Sequence, residues 1–213
     1  MINEIKEKYN ALGVFPYGST VYGNKKPEDF DFIVVSDNPY FQEQFKKNGQ
    51  DFEISNYSKE EFIKRLNEHE ISVLECLYID HKDKYIDTLL KQEIDLFMLN
   101  KEKLREACSQ KSSNSYVKAK KKLIVPEDFN LSVSLKSLWH SIRILDFGLQ
   151  IATSGKIDPT TCNDRYDEIV KDYLVFNNDW TKLHTKYRPV YNEIASNFKL
   201  ACPKKINMTQ KYN

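Results

Sequence analysis

Residues 17–35 constrain the fold of this chain more than any other stretch of its sequence. They begin with a Tyr-Gly-Ser turn and end on Asp29-Phe-Asp31-Phe-Ile-Val-Val, a run that is typical of a β-strand with a buried apolar face. Residues two apart in a strand point to the same side, so Asp29 and Asp31 share one face while Phe30 enters the opposite layer. The sequence therefore predicts a strand that carries two carboxylates side by side.

Two neighbouring carboxylates repel each other, and a cation that lies between them removes this cost. A hard divalent ion such as Mg²⁺ prefers carboxylate oxygens together with the phosphates of a substrate. The spacing of Asp29 and Asp31 therefore predicts a site for Mg²⁺, or for Mn²⁺, beside a bound phosphate compound.

A phosphate-binding turn is predicted just upstream of this strand. Gly18 permits a close backbone turn, and the amide and hydroxyl of Ser19 can then face a phosphate at the start of a short helix. Acid-x-acid pairs recur in a chain with 31 acidic residues, as at Glu68 and Glu70, so the paired aspartates alone are weak evidence. The combination of the turn and the acidic strand is more specific than either part.

The order of strand, Gly-Ser turn, short helix and acid-x-acid strand resembles the DNA polymerase β-like nucleotidyltransferase superfamily. The resemblance implies an α/β (α+β) palm with a mixed sheet, followed by a helical C-terminal lobe. It also implies an enzyme, a transferase that moves a nucleoside monophosphate from a nucleoside triphosphate such as ATP to a hydroxyl acceptor and releases pyrophosphate. In this interpretation Asp29 and Asp31 bind the metal, and Gly18 and Ser19 hold the terminal phosphates of the nucleotide.

The superfamily uses a third carboxylate on a neighbouring strand. Alternation over residues 50–57 places Asp51, Glu53 and Ser55 on one face of a predicted strand. Glu53 is the first choice because a hydrophobic residue stands on each side of it, as in the family, and Asp51 is the alternative. Both can equally be solvent-facing acids of an edge strand.

The first part of the chain alternates helix and strand signals, which is the pattern of an α/β layer. Predicted helices cover residues 2–12, 40–47 and 58–69, and predicted strands cover residues 14–17, 29–35 and 50–57. From about residue 86 onward helical periodicity dominates, so the acid pair at Glu93 and Asp95 is expected on a helix, in a structural role. We predict a catalytic domain over residues 1–100 and a helical domain over residues 101–213.

The clearest helix of the second domain covers residues 132–154 and is stopped by Gly155. A serine-rich loop is expected over residues 109–115, and a break at residues 126–128. One face of the long helix is apolar, and Lys136, His140 and Arg143 fall on the opposite face. The apolar stripe consists of Leu135, Leu138, Ile142, Leu145, Leu149 and Ala152.

A second resemblance concerns this basic row and the lysine cluster that precedes it in the chain. The cluster consists of Lys118, Lys120, Lys121 and Lys122. Together with Lys136, His140 and Arg143 it is similar to the helical half of an RNA-repair-associated branch of these nucleotidyltransferases. That similarity implies that the row contacts nucleotide phosphates or the acceptor, and that the lysines bind RNA. From the residues alone, an ordinary solvated helix face remains the other interpretation.

Composition excludes several other classes of protein. The net charge of +1 gives no overall attraction to polyanions, so contacts with RNA must come from local clusters. The four cysteines and four histidines lack zinc-ligand spacing. The absence of a long apolar run, a charged N-terminus and unpaired cysteine spacing predict a cytoplasmic protein without membrane contact. No Gly-x-x-x-x-Gly-Lys-Ser/Thr run is present, which argues against a P-loop phosphotransferase.

A non-catalytic alternative stands beside the enzyme. In that case the chain is a partner-binding or antitoxin-like module on a nucleotidyltransferase scaffold. The retention of Asp29, Asp31 and Glu53 argues against it, because a scaffold without a metal gains nothing from adjacent carboxylates.

Overall fold

A mixed β-sheet with helices on both faces forms the first half of the chain. The computed structural model describes residues 1–22 and 29–204. The strands are β1 (Gly13–Tyr17), β2 (Asp29–Ser36), β3 (Phe41–Lys47), β4 (Gln50–Ser58) and β5 (Tyr85–Ile86), in the spatial order β3-β4-β2-β1-β5. Strands β2 and β4 are parallel, and the other neighbours are antiparallel. The predicted fold class, a mixed sheet followed by a helical C-terminal region, is confirmed.

Helices make up most of the remaining structure. They are α1 (Ile2–Tyr9), α2 (Ser19–Tyr22), α3 (Lys59–Asn67), α4 (Ile71–Tyr78), α5 (Thr88–Asp95), α6 (Lys101–Ile124), α7 (Leu131–Ser154), α8 (Asn163–Val175) and α9 (Trp180–Ala201). Short 3-10 turns lie at Pro126–Asp128 and Pro159–Cys162. Among the described helices, none has the length and apolar character needed to cross a bilayer.

The two faces of β2 enter different cores, as the alternation of its residues predicts. Phe32 and Val34 pack in a cluster with α1, while Ile33 and Val35 pack with α3, α4 and α7 on the other side of the sheet. Asp31 shares the face of Ile33 and Val35, because these residues are separated by two and four positions. Asp31 therefore lies on the same face of the sheet as the larger core. Farther along β2, that core and the helical region cover this face.

The prediction of a helix over residues 40–47 is wrong, because this segment is strand β3. Its residues pair with β4 in an antiparallel hairpin, from Phe41 opposite Asn56 to Lys47 opposite Gln50. Asn48 and Gly49 both have positive φ, 51° and 78°, which is the backbone of the two-residue Asn-Gly hairpin turn. This turn signal outweighs the helix-forming tendency of the intervening glutamine, glutamate and lysine residues.

The loop expected over residues 109–115 does not form, because α6 runs without a break from Lys101 to Ile124. One serine of this stretch, Ser112, serves helix packing. Ser112 is fully buried, and its hydroxyl donates a 2.7 Å hydrogen bond to the carbonyl of Ser141 on α7. Because the Ser112 side chain is small and its hydroxyl has a hydrogen-bond partner, α6 and α7 can pack closely. The predicted break is confirmed as the 3-10 turn at Pro126–Asp128, which lies between the two helices in the chain.

Helix α7 matches its predicted bounds closely and ends at Gly155, whose φ of 65° is the left-handed cap conformation. The expectation of one apolar and one polar face is wrong. Residues on several sides of α7 are buried, including Ile144, Phe147 and Ile151 outside the predicted stripe. The helix is central because α6, α8 and α9 pack around it while its other side meets α4.

His69 connects the α3–α4 turn to the start of α6. This contact lies close to residue 100, where the boundary between two domains remains a prediction. The imidazole of His69 is buried, with Nδ1 3.1 Å from the carbonyl of Asn67 and Nε2 accepting the backbone N–H of Asn100 at 2.8 Å. The Asn100 bond requires a lone pair on Nε2, and therefore a neutral ring. Burial lowers the pKa of His69, and the nearby Lys103 charge adds to this effect.

The free energy of unfolding should therefore contain a pH-dependent contribution from His69. The folded-state pKa is lower than the ordinary value of about 6.5, so the unfolded chain binds more protons below that pH and stability falls as the pH decreases. We expect urea unfolding at a series of pH values to reveal this loss. A His69→Gln variant, whose amide oxygen can accept the Asn100 N–H, should lose less stability between pH 7 and pH 5 than the wild type. Parallel pH profiles for both proteins would contradict this assignment.

Candidate functional site

Four carboxylates form a patch at the amino ends of the parallel strands β2 and β4. The strand register places Asp29 opposite Asp51 and Asp31 opposite Glu53. All four residues lie on the same face of the sheet, and neighbouring strands are about 4.8 Å apart. Both sequence candidates for the third carboxylate, Glu53 and Asp51, thus adjoin the predicted pair. We call these four residues the acidic patch.

The surroundings of Asp51 and Glu53 differ. Lys46 Nζ lies 3.5 Å from the Asp51 carboxylate, an exposed ion pair, while Gln44 Nε2 donates a 2.8 Å hydrogen bond to Glu53. Asp51 is therefore paired with a cation, whereas Glu53 is bound by a neutral amide. Asp29, Asp51 and Glu53 also line an open cavity of about 320 Å³ together with Gln44, Phe45, Lys46 and Phe52.

The acidic patch fits a divalent cation by the chemistry of its donors and by its register. Carboxylate oxygens are the ligands that Mg²⁺ and Mn²⁺ prefer, and two strands here bring four of them to one face. In residues 1–22 and 29–204, no three His, Cys, Asp or Glu side chains are gathered as a ready-made metal-binding group. The four acidic residues of the patch are thus neighbours by strand register, but their carboxylates do not converge on a common point.

The Gly18 turn lies directly against this patch. Tyr17 is the register partner of Asp31 across β1 and β2, and the chain then turns at Gly18 with a φ of 68°. A Cβ added to Gly18 would lie 2.0 Å from Oδ2 of Asp31. The backbone conformation favours glycine here, and any other residue would also force the Asp31 carboxylate to shift. Ser19 begins α2, while its side chain and residues 23–28 lie outside the described part of the chain.

A buried charged cluster, which the sequence analysis missed, lies behind the turn. Glu75 on α4 and Arg143 on α7 are 1% and 3% exposed, and their side chains meet at 3.5 Å. The hydroxyl of Tyr22, the last residue of α2, donates a short hydrogen bond to the other oxygen of Glu75. One sequence signal was available, because Glu75 is the sole charged residue in the apolar helix Ile71–Tyr78.

The protonation of this cluster follows from its burial. Burial raises the pKa of Glu75, and the Arg143 guanidinium and the hydroxyls of Tyr22 and Tyr17 act in the opposite direction. Burial also raises the pKa of Tyr22 far above its ordinary value, and the Glu75 charge adds to this effect. The phenol therefore keeps its proton and remains the donor to Glu75.

The predicted row of Lys136, His140 and Arg143 is only partly solvent-facing. Lys136 is exposed, but Arg143 is enclosed and paired with Glu75, so the expectation of a solvated row is wrong for Arg143. Burial, together with the charges of Arg143, Lys111 and Lys118, lowers the pKa of His140 to about 3. His140 is consequently a neutral hydrogen-bonding group at neutral pH. The predicted contacts of the row with nucleotide phosphates stay a prediction.

The lysine cluster lies near the C-terminal end of α6 and is partly neutralised. Asp128 in the following 3-10 turn lies 3.2 Å from Lys121 and also binds Lys122. Lys118 and Lys120 are exposed. Lys118 also contributes to the positive potential that lowers the pKa of His140.

Comparison with known proteins agrees with this reading of the N-terminal region. Residues 1–96 match the family model described as a nucleotidyltransferase domain. The matched region contains the Gly18 turn, the acidic patch and Glu75, and the match supports the nucleotidyltransferase superfamily that the motif resembles.

The structure search found a nucleotidyltransferase-like protein from Exiguobacterium sibiricum 255-15. It is 9% identical to this chain, with a TM-score of 0.36, and the alignment covers 93% of this chain and 74% of that one. No curated protein sequence matches the chain significantly.

Substitution of Gly18 by alanine tests the contact between the turn and Asp31. We expect Gly18→Ala to destabilise the protein by more than the roughly 1–2 kcal/mol that a left-handed backbone alone costs, because the methyl group also displaces the Asp31 carboxylate. Gly155→Ala is the matched control, since its φ of 65° is similar and an added Cβ meets nothing within 4 Å. Urea unfolding measures both variants, and equal losses of stability would contradict the close contact.

Proposed function

We propose that this chain is a metal-dependent nucleotidyltransferase that moves a nucleoside monophosphate from a nucleoside triphosphate to a hydroxyl acceptor. The observation that carries the proposal is the packing of the Gly18 turn against Asp31, next to the register neighbour Glu53. This arrangement brings a glycine turn suited to phosphate into contact with one carboxylate, that of Asp31, of a set suited to a divalent cation. The match of residues 1–96 to a nucleotidyltransferase domain supports the same reaction class.

In this proposal, Asp29, Asp31 and Glu53 would hold Mg²⁺ or Mn²⁺, with Asp51 as the alternative third ligand. When bound, the metal neutralises triphosphate charge and lowers the pKa of the attacking hydroxyl. Gly18 would let the backbone approach the terminal phosphates, and Ser19 would offer its backbone amide to them. The protein thus contributes mainly by orienting the substrates and by electrostatic complementarity to the departing pyrophosphate.

The acceptor class that the basic residues favour is the 3′ end of an RNA, as in the RNA-repair-associated branch. Lys118 and Lys120 are exposed on α6, and Lys136 is exposed on the adjoining helix α7. Single-stranded RNA binds to such positive surfaces through its phosphates. Because Asp128 offsets Lys121 and Lys122, we assign the larger part of this attraction to the exposed lysines.

Transfer of a radioactive nucleotide tests the proposed reaction. The full chain is incubated with each α-labelled nucleoside triphosphate, with Mg²⁺ or Mn²⁺, and with separate pools of RNA, protein and small alcohols. We expect transfer that depends on the metal and falls at least a hundredfold in an Asp29→Asn, Asp31→Asn double variant, because the variant removes two of the proposed metal ligands.

The control is a Glu93→Gln, Asp95→Asn double variant, which changes an acid pair of the same spacing on α5. It should transfer label at the wild-type rate. Persistence of transfer in the Asp29, Asp31 variant would contradict the assigned metal site. Failure of the wild type to bind any nucleotide with metal would favour the alternative of a non-catalytic partner-binding or antitoxin-like module.

The dependence of RNA binding on salt tests the assigned acceptor surface. Each lysine that contacts a phosphate of single-stranded RNA contributes about 0.7 to the slope of log K against log salt concentration. We expect Lys118→Gln and Lys120→Gln each to lower the slope measured by fluorescence anisotropy with an RNA oligonucleotide. Lys91→Gln, an exposed lysine on α5, serves as the control. An unchanged slope in both α6 variants would exclude this surface as the binding site for RNA.

A further inference from the structure

We propose that Glu75 and Arg143 are positioning residues, and that their buried ion pair holds the Gly18 turn in place against the acidic patch through Tyr22. This inference deepens the proposed function and rests on it. It gives Arg143 a role different from the phosphate contact expected from sequence, and it gives Glu75 a role that no sequence motif indicated.

The cluster joins three helices at one point. Glu75 comes from α4, Arg143 from α7 and Tyr22 from α2. The two oxygens of Glu75 are used by different partners, since Oε1 faces the Arg143 guanidinium and Oε2 accepts the Tyr22 hydroxyl. The carboxylate of Glu75 is therefore the common link between the central helix of the C-terminal region and the helix that follows the Gly18 turn.

Aromatic rings fix the guanidinium in its place. Cζ of Arg143 lies 4.0 Å from the ring centroid of Tyr22 and 4.8 Å from that of Trp139. Trp139 is in turn fixed by a 2.9 Å hydrogen bond from its indole N–H to the carbonyl of Cys162. Tyr22 thus contacts both members of the ion pair, with its hydroxyl on Glu75 and its ring on Arg143.

The chain between Tyr22 and Gly18 is short and hydrogen-bonded, so the two residues cannot move far relative to each other. Helix α2 has four residues, and the Gly18 carbonyl accepts the N–H groups of Val21 at 3.1 Å and Tyr22 at 3.3 Å. Gly18 itself packs so closely on Asp31 that a Cβ would overlap its Oδ2 atom. A displacement of Tyr22 is therefore transmitted to the turn and to the space available to the Asp31 carboxylate.

Stability alone does not explain why an ion pair is buried at this position. Removing both ions from water costs several kcal/mol each in general, and apolar residues of similar volume often serve a core equally well. Within the described residues, Nε of Arg143 is also a buried donor without a hydrogen-bond partner. A purely structural contact between α4 and α7 has no need of this arrangement, whereas an acceptor for the Tyr22 hydroxyl requires a polar group at position 75.

The decisive experiment separates stability from nucleotide binding. Isothermal titration calorimetry on the full chain measures the affinity for ATP, GTP, CTP and UTP, each with Mg²⁺, while thermal unfolding measures stability. We expect a Glu75→Met, Arg143→Met double variant to fold, with an unfolding temperature lowered by the Tyr22 hydroxyl that loses its acceptor, and to bind the preferred nucleotide at least tenfold more weakly. Wild-type affinity in the folded double variant would overturn the positioning role.

A matched control and a milder variant complete the test. Glu61→Met, Arg65→Met removes an ion pair of 2.7 Å on α3 and should leave nucleotide affinity unchanged. Tyr22→Phe keeps the ring over Arg143 but removes the hydroxyl, so it should weaken nucleotide binding severalfold even if the double variant fails to fold. Unchanged affinity in Tyr22→Phe would contradict the proposed link. Absence of nucleotide binding by the wild type would instead overturn the proposed function itself.

Discussion

The close packing of Gly18 on Asp31 is the constraint on which the rest of the site depends. Antiparallel pairing of β1 with β2 brings the end of β1 to the acidic end of β2, and the glycine then turns the chain where a side chain would strike the carboxylate. Parallel pairing of β2 with β4 adds Asp51 and Glu53 to the same face. Strand register alone therefore places the glycine turn and four acidic residues at one end and on one face of the sheet.

The helical region contacts this arrangement through a buried ion pair. Helix α7 is buried on several sides, and Arg143 reaches from it to Glu75 at the core between the sheet and the C-terminal helices. Tyr22 then connects that ion pair to the turn. The C-terminal helices thus have two separate relations to the site. Through Arg143 they contact Tyr22 of α2, and the exposed lysines of α6 carry the proposed binding of an RNA acceptor.

Sequence reasoning succeeded where one local signal decided the structure. The alternation of β2 and the Gly155 stop of α7 were sufficient, because each depends on a period or on a single backbone conformation. It failed for β3, where the Asn48-Gly49 turn was overlooked, and for α6, where the polar Ser112 faces a neighbouring helix. The ion pair of Glu75 and Arg143 depends on packing between distant segments, so periodicity placed Arg143 on a solvated face and gave Glu75 no role. Asp31 and Glu53 were found because a motif and strand alternation both marked them.

The proposed function requires that the acidic patch and the Gly18 turn together bind a divalent cation with a nucleoside triphosphate. The most direct measurement is anomalous diffraction from crystals grown with Mn²⁺ and a non-hydrolysable nucleoside triphosphate analogue. We expect a Mn²⁺ peak among the carboxylates of Asp29, Asp31 and Glu53 or Asp51, with the terminal phosphates next to Gly18. A bound nucleotide whose phosphates and metal lie elsewhere on the molecule would contradict it.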